Sequence, residues 1–589
     1  MKELSYLNKY FYKYRGRIVL GILFVALSNI FSIVQPILIK QTLDDVAAQI
    51  AAKHNKTTLI LSDTLQDKVL LFCLLVVGAA LLRGLFLFLM RQTIIVISRF
   101  IEYDLKNEIY AHYQVLDEAF YKTNSTGNLM NRISEDVSRV RMYVGPALMY
   151  LVNMFVMFVF TISAMLYSSI TLTCIVLIPL PILIFIAYKV HDVINTRSES
   201  VQEKLSSLSS FVQETVSGIR VVKAFAREKQ FETNLKQQSA LYRKQSLLLA
   251  QVNAYFHPAL TLLIGLSLTL IVYFGGLGAM QNKFTTGMLV EFVMYINMLT
   301  FPVASLGWVI SLVQRAAASQ KRINEFLKTQ PSVQSKGSDA ISIKGTVKFN
   351  RVSFAYPNSK TAAIKNISFE VKPGQTIAFF GRTGSGKSTV ANLMVRLYDV
   401  SEGEILIDGI NIKDIPIHIV RAAIGYVPQE VFLFSDTIKN NIAFGYTNAS
   451  ESEITHAAIA ADVYQNIIGF ENKFETLLGE RGINLSGGQK QRISIARALV
   501  KNAKILIFDD VLSAVDTKTE SKILNNLKPI LAHQTCFIIS HRITSIQHAN
   551  QIIVLENGVV VETGNHQTLI NNNGYYARQY QLQMEEEAA

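Results

Sequence analysis

Apolar residues gather into six runs in the first half of the 589-residue chain, near 18–39, 69–90, 146–167, 170–187, 259–280 and 288–313. A hydrocarbon core of about 30 Å is crossed by roughly 20 helical residues, so each run is long enough to span it. One such run could be a buried helix of a large soluble core, but six in succession predict a polytopic α-helical membrane domain. Lys2, Lys9, Lys13, Arg15 and Arg17 precede the first run as they would in a signal peptide. That run is too long for a signal-peptide core and no small-residue cleavage site follows it, so it is expected to stay attached as the first membrane helix.

The connections alternate in length. Ser168–Ser169 and 281–287 are short, whereas 91–145 and 189–258 are long, polar and poor in internal Gly and Pro, which predicts helices continuing out of the membrane. The second long connection carries Lys189, Arg197, Lys204, Arg220, Lys223, Arg227, Lys229, Lys236, Arg243 and Lys244. By the positive-inside bias both long connections and both termini are expected in the cytoplasm. Each long connection contains an amphipathic segment, 127–140 and 211–225, suited to docking on a partner domain. Arg83 and Glu291 interrupt apolar runs and are expected to face a cavity, an ion partner or the membrane interface.

After Arg315 the pattern changes. A helical stretch to Gln330 leads into a Pro-, Ser-, Gly- and Lys-rich linker, 331–342, and from Ile343 short apolar strands alternate with Gly, Asp and Asn turns. This divides the chain into a membrane domain at 1–330 and an α/β domain at 343–589. Composition agrees with the division: half of the residues are hydrophobic, 17% are charged and the mean hydropathy is +0.27, which a soluble globular chain rarely shows. The net charge of +13 is spread along the chain and flanks the apolar runs, which points to anionic lipid headgroups and away from nucleic acid. Cys73, Cys174 and Cys536 are too far apart for a disulfide scaffold or a zinc site.

The chemistry concentrates in the second part. An apolar strand, Thr376–Phe380, feeds Gly381-Arg382-Thr383-Gly384-Ser385-Gly386-Lys387-Ser388-Thr389 and then a helical segment. Strand, glycine-rich loop and helix form a phosphate cradle: glycines let backbone N–H groups converge, the helix N-terminus adds positive potential, Lys387 reaches the β- and γ-phosphates and Ser388 suits Mg²⁺. A second apolar strand, 504–508, ends in Asp509-Asp510, placing one carboxylate for the metal and one for the attacking water. Between them Leu485-Ser486-Gly487-Gly488-Gln489 precedes a helix and forms another phosphate-seeking element. One nucleotide needs one such loop, so the spare element is surplus unless it serves a nucleotide held by another copy of the domain.

Together these motifs resemble the ATP-binding cassette (ABC) transporters over essentially the whole chain, in the exporter half-transporter arrangement that includes the lipid A flippase and multidrug exporters. The resemblance implies that Ser486, Gly487, Gly488 and Gln489 act on the partner's ATP and that Gln429 lies beside the Mg²⁺, with Ser388 and Asp509 as its ligands. It further implies that His541 meets the γ-phosphate, that Tyr356 stacks on adenine, and that Ser513-Ala514-Val515-Asp516 is the loop coupling two sites. The segments 127–140 and 211–225 resemble the family's coupling helices. Gly479-Glu480-Arg481-Gly482 resembles the end of the exporter loop, with Leu477 where the family usually has glutamate.

The main departure is Asp510, since active members usually carry glutamate as the base. Aspartate at this position, with the signature intact, is similar to one subunit of heterodimeric exporters. The expected function is ATP-driven export or flipping of amphipathic lipids or drugs across the plasma membrane, the inner membrane in a bacterium, by a homodimer or heterodimer. The alternative is a poorly hydrolysing ATP-clamping subunit or a regulatory, channel-like member. Cassette ATPases acting on DNA or ribosomes need no spans, and importers usually keep the two parts on separate chains.

Overall fold

The computed structural model describes residues 2–53, 63–338, 340–357, 359, 361–479, 482, 484–511 and 515–588. Glu480, Arg481, Ser513 and Ala514 lie outside the described residues. The chain divides into two compact units, 1–114 with 126–329 and 115–125 with 330–589. The contiguous 1–330 block expected from the sequence is thereby cut: eleven residues, Val115–Ser125, go with the second unit.

The first unit is helical. A short helix α1 (Asn8–Lys13) precedes α2 (Arg15–Lys53) and α3 (Asp63–Val115). There follow the helical run α5 (Thr126–Ser168), α6 (Ile170–Ser217), α7 (Glu228–Leu270, continued to Met280) and α8 (Thr286–Lys328), with α4 reserved for the Glu118–Thr123 helix of the second unit. Six of these helices are long and apolar enough to cross a membrane. They overrun the apolar runs: the 53 residues of α3 reach about 80 Å at 1.5 Å per residue, well beyond the bilayer core. Two local irregularities coincide with proline, whereas Pro36, Pro258 and Pro302 lie within continuous helices. Pro146 sits in a π turn at Tyr143–Ala147, and a turn at Leu177–Ile178 precedes Pro179.

Close approaches pin the bundle. A Cβ on Gly287 would stand 2.4 Å from the Lys40 carbonyl, so only glycine admits α8 this near α2. Asp44 of α2 accepts from Gly287 N at 2.9 Å and from Thr285 Oγ1 at 2.8 Å. Nearby Glu291, 2% exposed, pairs with Lys40 at 3.0 Å and accepts from Ser168 Oγ at 2.6 Å and Tyr295 OH at 3.0 Å. Of the two charged residues inside apolar runs, Glu291 is thus neutralised within the bundle, whereas Arg83 lines a cavity.

The amphipathic segment 127–140 spends its apolar face inside its own unit. Val137 and Val140 are fully buried, and buried Asp136 accepts from Arg322 Nε of α8 at 3.0 Å. The helix that joins the second unit instead lies just upstream, as α4. In the other long connection a short helix, Ile219–Ala224, leaves Val221 and the adjoining Phe225 exposed.

The second unit holds two sheets. One is antiparallel, β2-β1-β4-β5, built from β1 (Val347–Phe354), β2 (Ile364–Val371), β4 (Glu402–Ile407) and β5 (Ile410–Asn411). The other runs β10-β9-β3-β8-β7-β6, from β3 (Thr376–Phe380), β6 (Ile424–Val427), β7 (Ile505–Asp509), β8 (Thr535–Ile539), β9 (Gln551–Glu556) and β10 (Val559–Gly564). All of its neighbouring pairs are parallel except β9 with β10. β7 and β8 are buried at every position, as strands covered on both faces must be. Phe349 stacks on Phe369 at 4.4 Å, and Phe369 meets the edge of Phe379 at 5.4 Å. The first strand starts at Val347, four residues after the position expected, because the Asp408 carboxylate takes the N–H groups of Lys344, Gly345 and Thr346 before any strand can.

α4 is anchored by one carboxylate. Asp117 Oδ1 caps the helix at Phe120 N, 3.2 Å, while Oδ2 accepts from Ser332 Oγ at 2.5 Å, from Val333 N at 3.1 Å and from Ser332 N. Burial pulls this carboxyl up, but these bonds outweigh it and hold it below its ordinary range. Asp117→Ala is expected to lower stability by about 1 kcal/mol or more, the usual value of a lost cap. Limited proteolysis should then show faster cleavage near both 115–125 and 330–335; acceleration at only one of them would contradict a shared anchor.

Candidate functional site

Sheet order assembles the site. The strands β3, β8, β7 and β6 are neighbours, so the loops after their carboxyl ends open on one crevice. β3 delivers the Gly381–Thr389 loop, β7 delivers Asp509 and Asp510, β8 delivers His541 and β6 delivers Gln429. These residues are spread between positions 381 and 541 of the chain, and only parallel pairing makes them adjacent.

The loop turns sharply at glycines. Gly384 and Gly386 have φ of +83° and +99°, and a Cβ on Gly386 would meet the Ala363 carbonyl at 2.5 Å. Helix α9 (Lys387–Met394) starts directly behind, so its unpaired N–H groups face the loop. Lys387 Nζ donates to the Gly381 and Arg382 carbonyls at 2.7 and 2.8 Å, at the rim of the cradle. Thr383 and Gly384 form its exposed tip. Ser385 Oγ is buried and has no protein partner. An unpaired buried hydroxyl inside a ring of N–H groups is what an incoming phosphate oxygen would satisfy.

Ser388 Oγ donates to Asp509 Oδ1 at 2.8 Å. Burial pushes the Asp509 carboxyl up to about 6; the Ser388 hydrogen bond and Lys387 oppose this, and neighbouring Asp510 adds to it. Burial also lowers the Lys387 ammonium, against the pull of Asp510 and Asp509. The Ser388–Asp509 pair fits Mg²⁺, a hard cation that takes oxygen ligands and completes its shell with phosphate and water. Among the described residues no group of three or more His, Cys, Asp or Glu is placed to hold a metal ion.

Asp510 sits at φ +51°, a left-handed backbone that aspartate tolerates, with its N–H bonded to the Ile539 carbonyl at 2.8 Å. This aims its carboxylate across the sheet: Oδ1 is 2.9 Å from His541 Nδ1 and Oδ2 is 3.5 Å from Gln429 Nε2. Tyr356 stands at the cradle's other flank. Its hydroxyl is 3.1 Å from Thr389 Oγ1 and accepts from Asn392 Nδ2 at 3.2 Å, and its ring meets Phe354 and Tyr398 edge-on. Asn392 escaped the sequence reading, although it lies three residues past Thr389 on the same helical face.

The Ser486–Gln489 element has a different setting. Ser486 caps α10 (Gly487–Leu499), accepting from Gln489 N at 3.3 Å while Gln489 Oε1 accepts from Ser486 N at 2.9 Å. A Cβ on Gly487 would meet nothing within 4 Å, so the helix start is open to an approaching group. Among the described residues, no hydrogen bond joins this element to the Gly381–Thr389 loop of the same chain. Asp516 caps the helix Thr517–Leu531 through Thr519 N at 2.9 Å.

Comparison with known proteins fits this geometry. Residues 18–303 match the ABC transporter transmembrane region and residues 364–513 match the ABC transporter family. The Bacillus subtilis protein YheI, a probable multidrug resistance ABC transporter ATP-binding/permease protein, is 37% identical over 81% of this chain and 82% of its own. YknU of the same organism, an uncharacterized ABC transporter ATP-binding protein, is 32% identical over 99% and 98%. The ATP-dependent lipid A-core flippase of Syntrophus aciditrophicus is 34% identical over 82% and 80%. A bacterial Atm1-family ABC exporter solved with ATP bound superimposes with a TM-score of 0.81 and 27% identity, covering 97% of this chain and 99% of that one. The chain belongs to the ABC transporter family. It is a membrane-spanning member of the exporter type, and its second unit is an ATPase coupled to transport.

Two substitutions test the cradle. A charged hydrogen bond to phosphate is worth about 1.5–3 kcal/mol, so Lys387→Ala is expected to weaken ATP binding by about tenfold to a hundredfold in a fluorescent-nucleotide titration. Tyr356→Ala should weaken it by up to about tenfold through lost stacking while Tyr356→Phe keeps most of the affinity; equal losses would assign the effect to the hydroxyl.

Proposed function

We propose that this chain is one half of a dimeric exporter that moves amphipathic lipids or drugs across the plasma membrane by alternating access. The observation that carries the reading is the crevice in which the phosphate cradle, the Asp509–Ser388 pair and the Asp510–His541–Gln429 group meet at the ends of adjacent strands. The basic connection 189–258 supports a cytoplasmic side for the long helices, the second unit and both termini, on the bacterial inner membrane.

ATP lies on the Gly381–Thr389 loop, with Lys387 on its β- and γ-phosphates and Tyr356 against its base. Ser388 and Asp509, with Gln429 beside them, would hold Mg²⁺, which would supply neutralisation of charge on the phosphate oxygens. Water attacks the γ-phosphorus as its bond to the β–γ bridging oxygen breaks, Asp510 accepts the water's proton, His541 orients the pair, and ADP and inorganic phosphate leave. Because, among the described residues, Ser486–Gln489 makes no hydrogen bond to its own chain's cradle, it is available to cover the nucleotide of a second half-transporter, where the open start of α10 adds positive potential at the γ-phosphate. Two nucleotides so sandwiched draw the second units together, and hydrolysis releases them.

Aspartate is one methylene shorter than the family's usual glutamate. A displacement of about 1 Å at a general base can cost roughly a hundredfold in rate, which supports a slow site at this chain's own cradle. A heterodimer in which the partner supplies a glutamate-bearing site that this chain's Ser486–Gln489 completes is the second reading, and Asp510 is the observation favouring it over a homodimer.

Steady-state ATP hydrolysis by the purified chain alone in lipid nanodiscs, with Lys387→Ala as the control, separates the two. Clear Lys387-dependent turnover indicates a self-sufficient homodimer; near-zero turnover with ATP still bound indicates a partner chain. In either case Asp510→Glu is expected to raise turnover about tenfold or more. Unchanged turnover in that variant would remove the argument from a shortened base.

A further inference from the structure

The membrane unit encloses a cavity of about 620 Å³ between α2, α3, α5 and α8. Its wall combines two arginines, Arg83 and Arg91, with five methionines and the amides of Gln35, Asn153 and Asn297. Among the described residues no acidic side chain lines it. Both arginines are exposed to the cavity space, and among the described residues neither guanidinium has a hydrogen-bonding or ionic partner. Four other cations of this unit meet carboxylates: Lys9 meets Glu108, Lys13 Asp104, Lys40 Glu291 and Arg322 Asp136.

Depth makes the unmatched pair informative. Ser28 Oγ donates to the Arg83 carbonyl at 3.4 Å, and Ser28 lies ten residues past Ile18, the start of its apolar run. At 1.5 Å per residue this puts Arg83 about 15 Å inside, near the middle of a bilayer core of roughly 30 Å. Arg91 follows eight residues later on α3, about 12 Å along the helix. A charged group at such depth is costly unless it meets a counter-charge or water, and it marks the path of what passes through. The planar guanidinium, with paired donors, matches phosphate, sulfonate and carboxylate oxygens. Methionine between the two arginines offers a pliable apolar surface that accepts acyl or aryl groups of varied shape.

We infer that this cavity selects amphipathic substrates carrying a negatively charged headgroup, which Arg83 and Arg91 hold in succession while the methionines receive the apolar body. The inference rests on the export reading above and names the substrate class within it.

The test uses the transporter in its active assembly, in proteoliposomes with the ATPase units outward. ATP-dependent uptake is measured for fluorescent phosphatidic acid, for an aryl sulfonate dye and for a cationic rhodamine dye. The two anionic probes are expected to be transported with the lower half-saturating concentrations, and Arg83→Gln or Arg91→Gln to raise those by about tenfold or more without a matching change for the cation. Uptake of phosphatidic acid alone identifies the headgroup source as lipid; uptake of the sulfonate as well extends it to free amphipaths. Arg83→Lys keeps the charge and should recover part of the loss, which guards against a variant that merely misfolds. Equal handling of cation and anions, unmoved by the arginine variants, overturns charge selection while leaving export standing. Absence of ATP-dependent uptake of every probe overturns both.

Discussion

Every backbone N–H and C=O removed from water must find a partner, and this one requirement shapes both halves of the molecule. Inside a bilayer only a helix satisfies each group within its own segment, so the apolar half is helices throughout its spans, adjusting by a π turn where Pro146 withdraws a donor. In the second unit the same groups are paired along ten strands except where the chain leaves them open on purpose. The cradle at Gly381–Lys387 and the starts of α9 and α10 expose donors that phosphate can take up. Binding of ATP is therefore the completion of a hydrogen-bonding pattern that folding leaves unfinished.

Charge follows a related rule. Glu291 is tolerated at 2% exposure because Lys40, Ser168 and Tyr295 surround it, and Asp136 because Arg322 meets it. Asp117 collects four donors from its own cap and from the linker, so the loop between α3 and α5 is tied to the chain that leaves α8. Asp509 and Asp510 are the contrasting case. They are adjacent carboxylates at the crevice, and burial together with the neighbouring Asp510 charge raises Asp509 to about 6. Arg83 and Arg91, by contrast, line a cavity of the membrane unit.

Much of this was legible in the chain. Six apolar runs, the glycine-rich loop, the paired aspartates and the Ser486–Gln489 element are all local patterns whose chemistry depends on spacing of a few residues. What escaped depended on partners distant in sequence. The amphipathic face at 127–140 is equally consistent with docking outward or packing inward, and α8 takes it inward through Arg322. The helix that does join the second unit, at Glu118–Thr123, is six residues long and carries no periodicity to detect. The first strand begins late because Asp408, more than sixty residues away, claims the intervening N–H groups. Asn392 became visible only once Tyr356 was seen beside it.

The sequence by itself determined the class: helix-forming apolar runs of bilayer length and short motifs with a fixed phosphate chemistry leave little choice, because both act through neighbours along the chain. The tertiary structure alone decided which strand ends share a crevice, that Glu291 is paired while Arg83 faces a cavity, and that Asp510 meets His541 and Gln429. Those outcomes depend on the order of strands and the packing of helices, where burial and Coulomb energy are settled between residues that the sequence holds far apart.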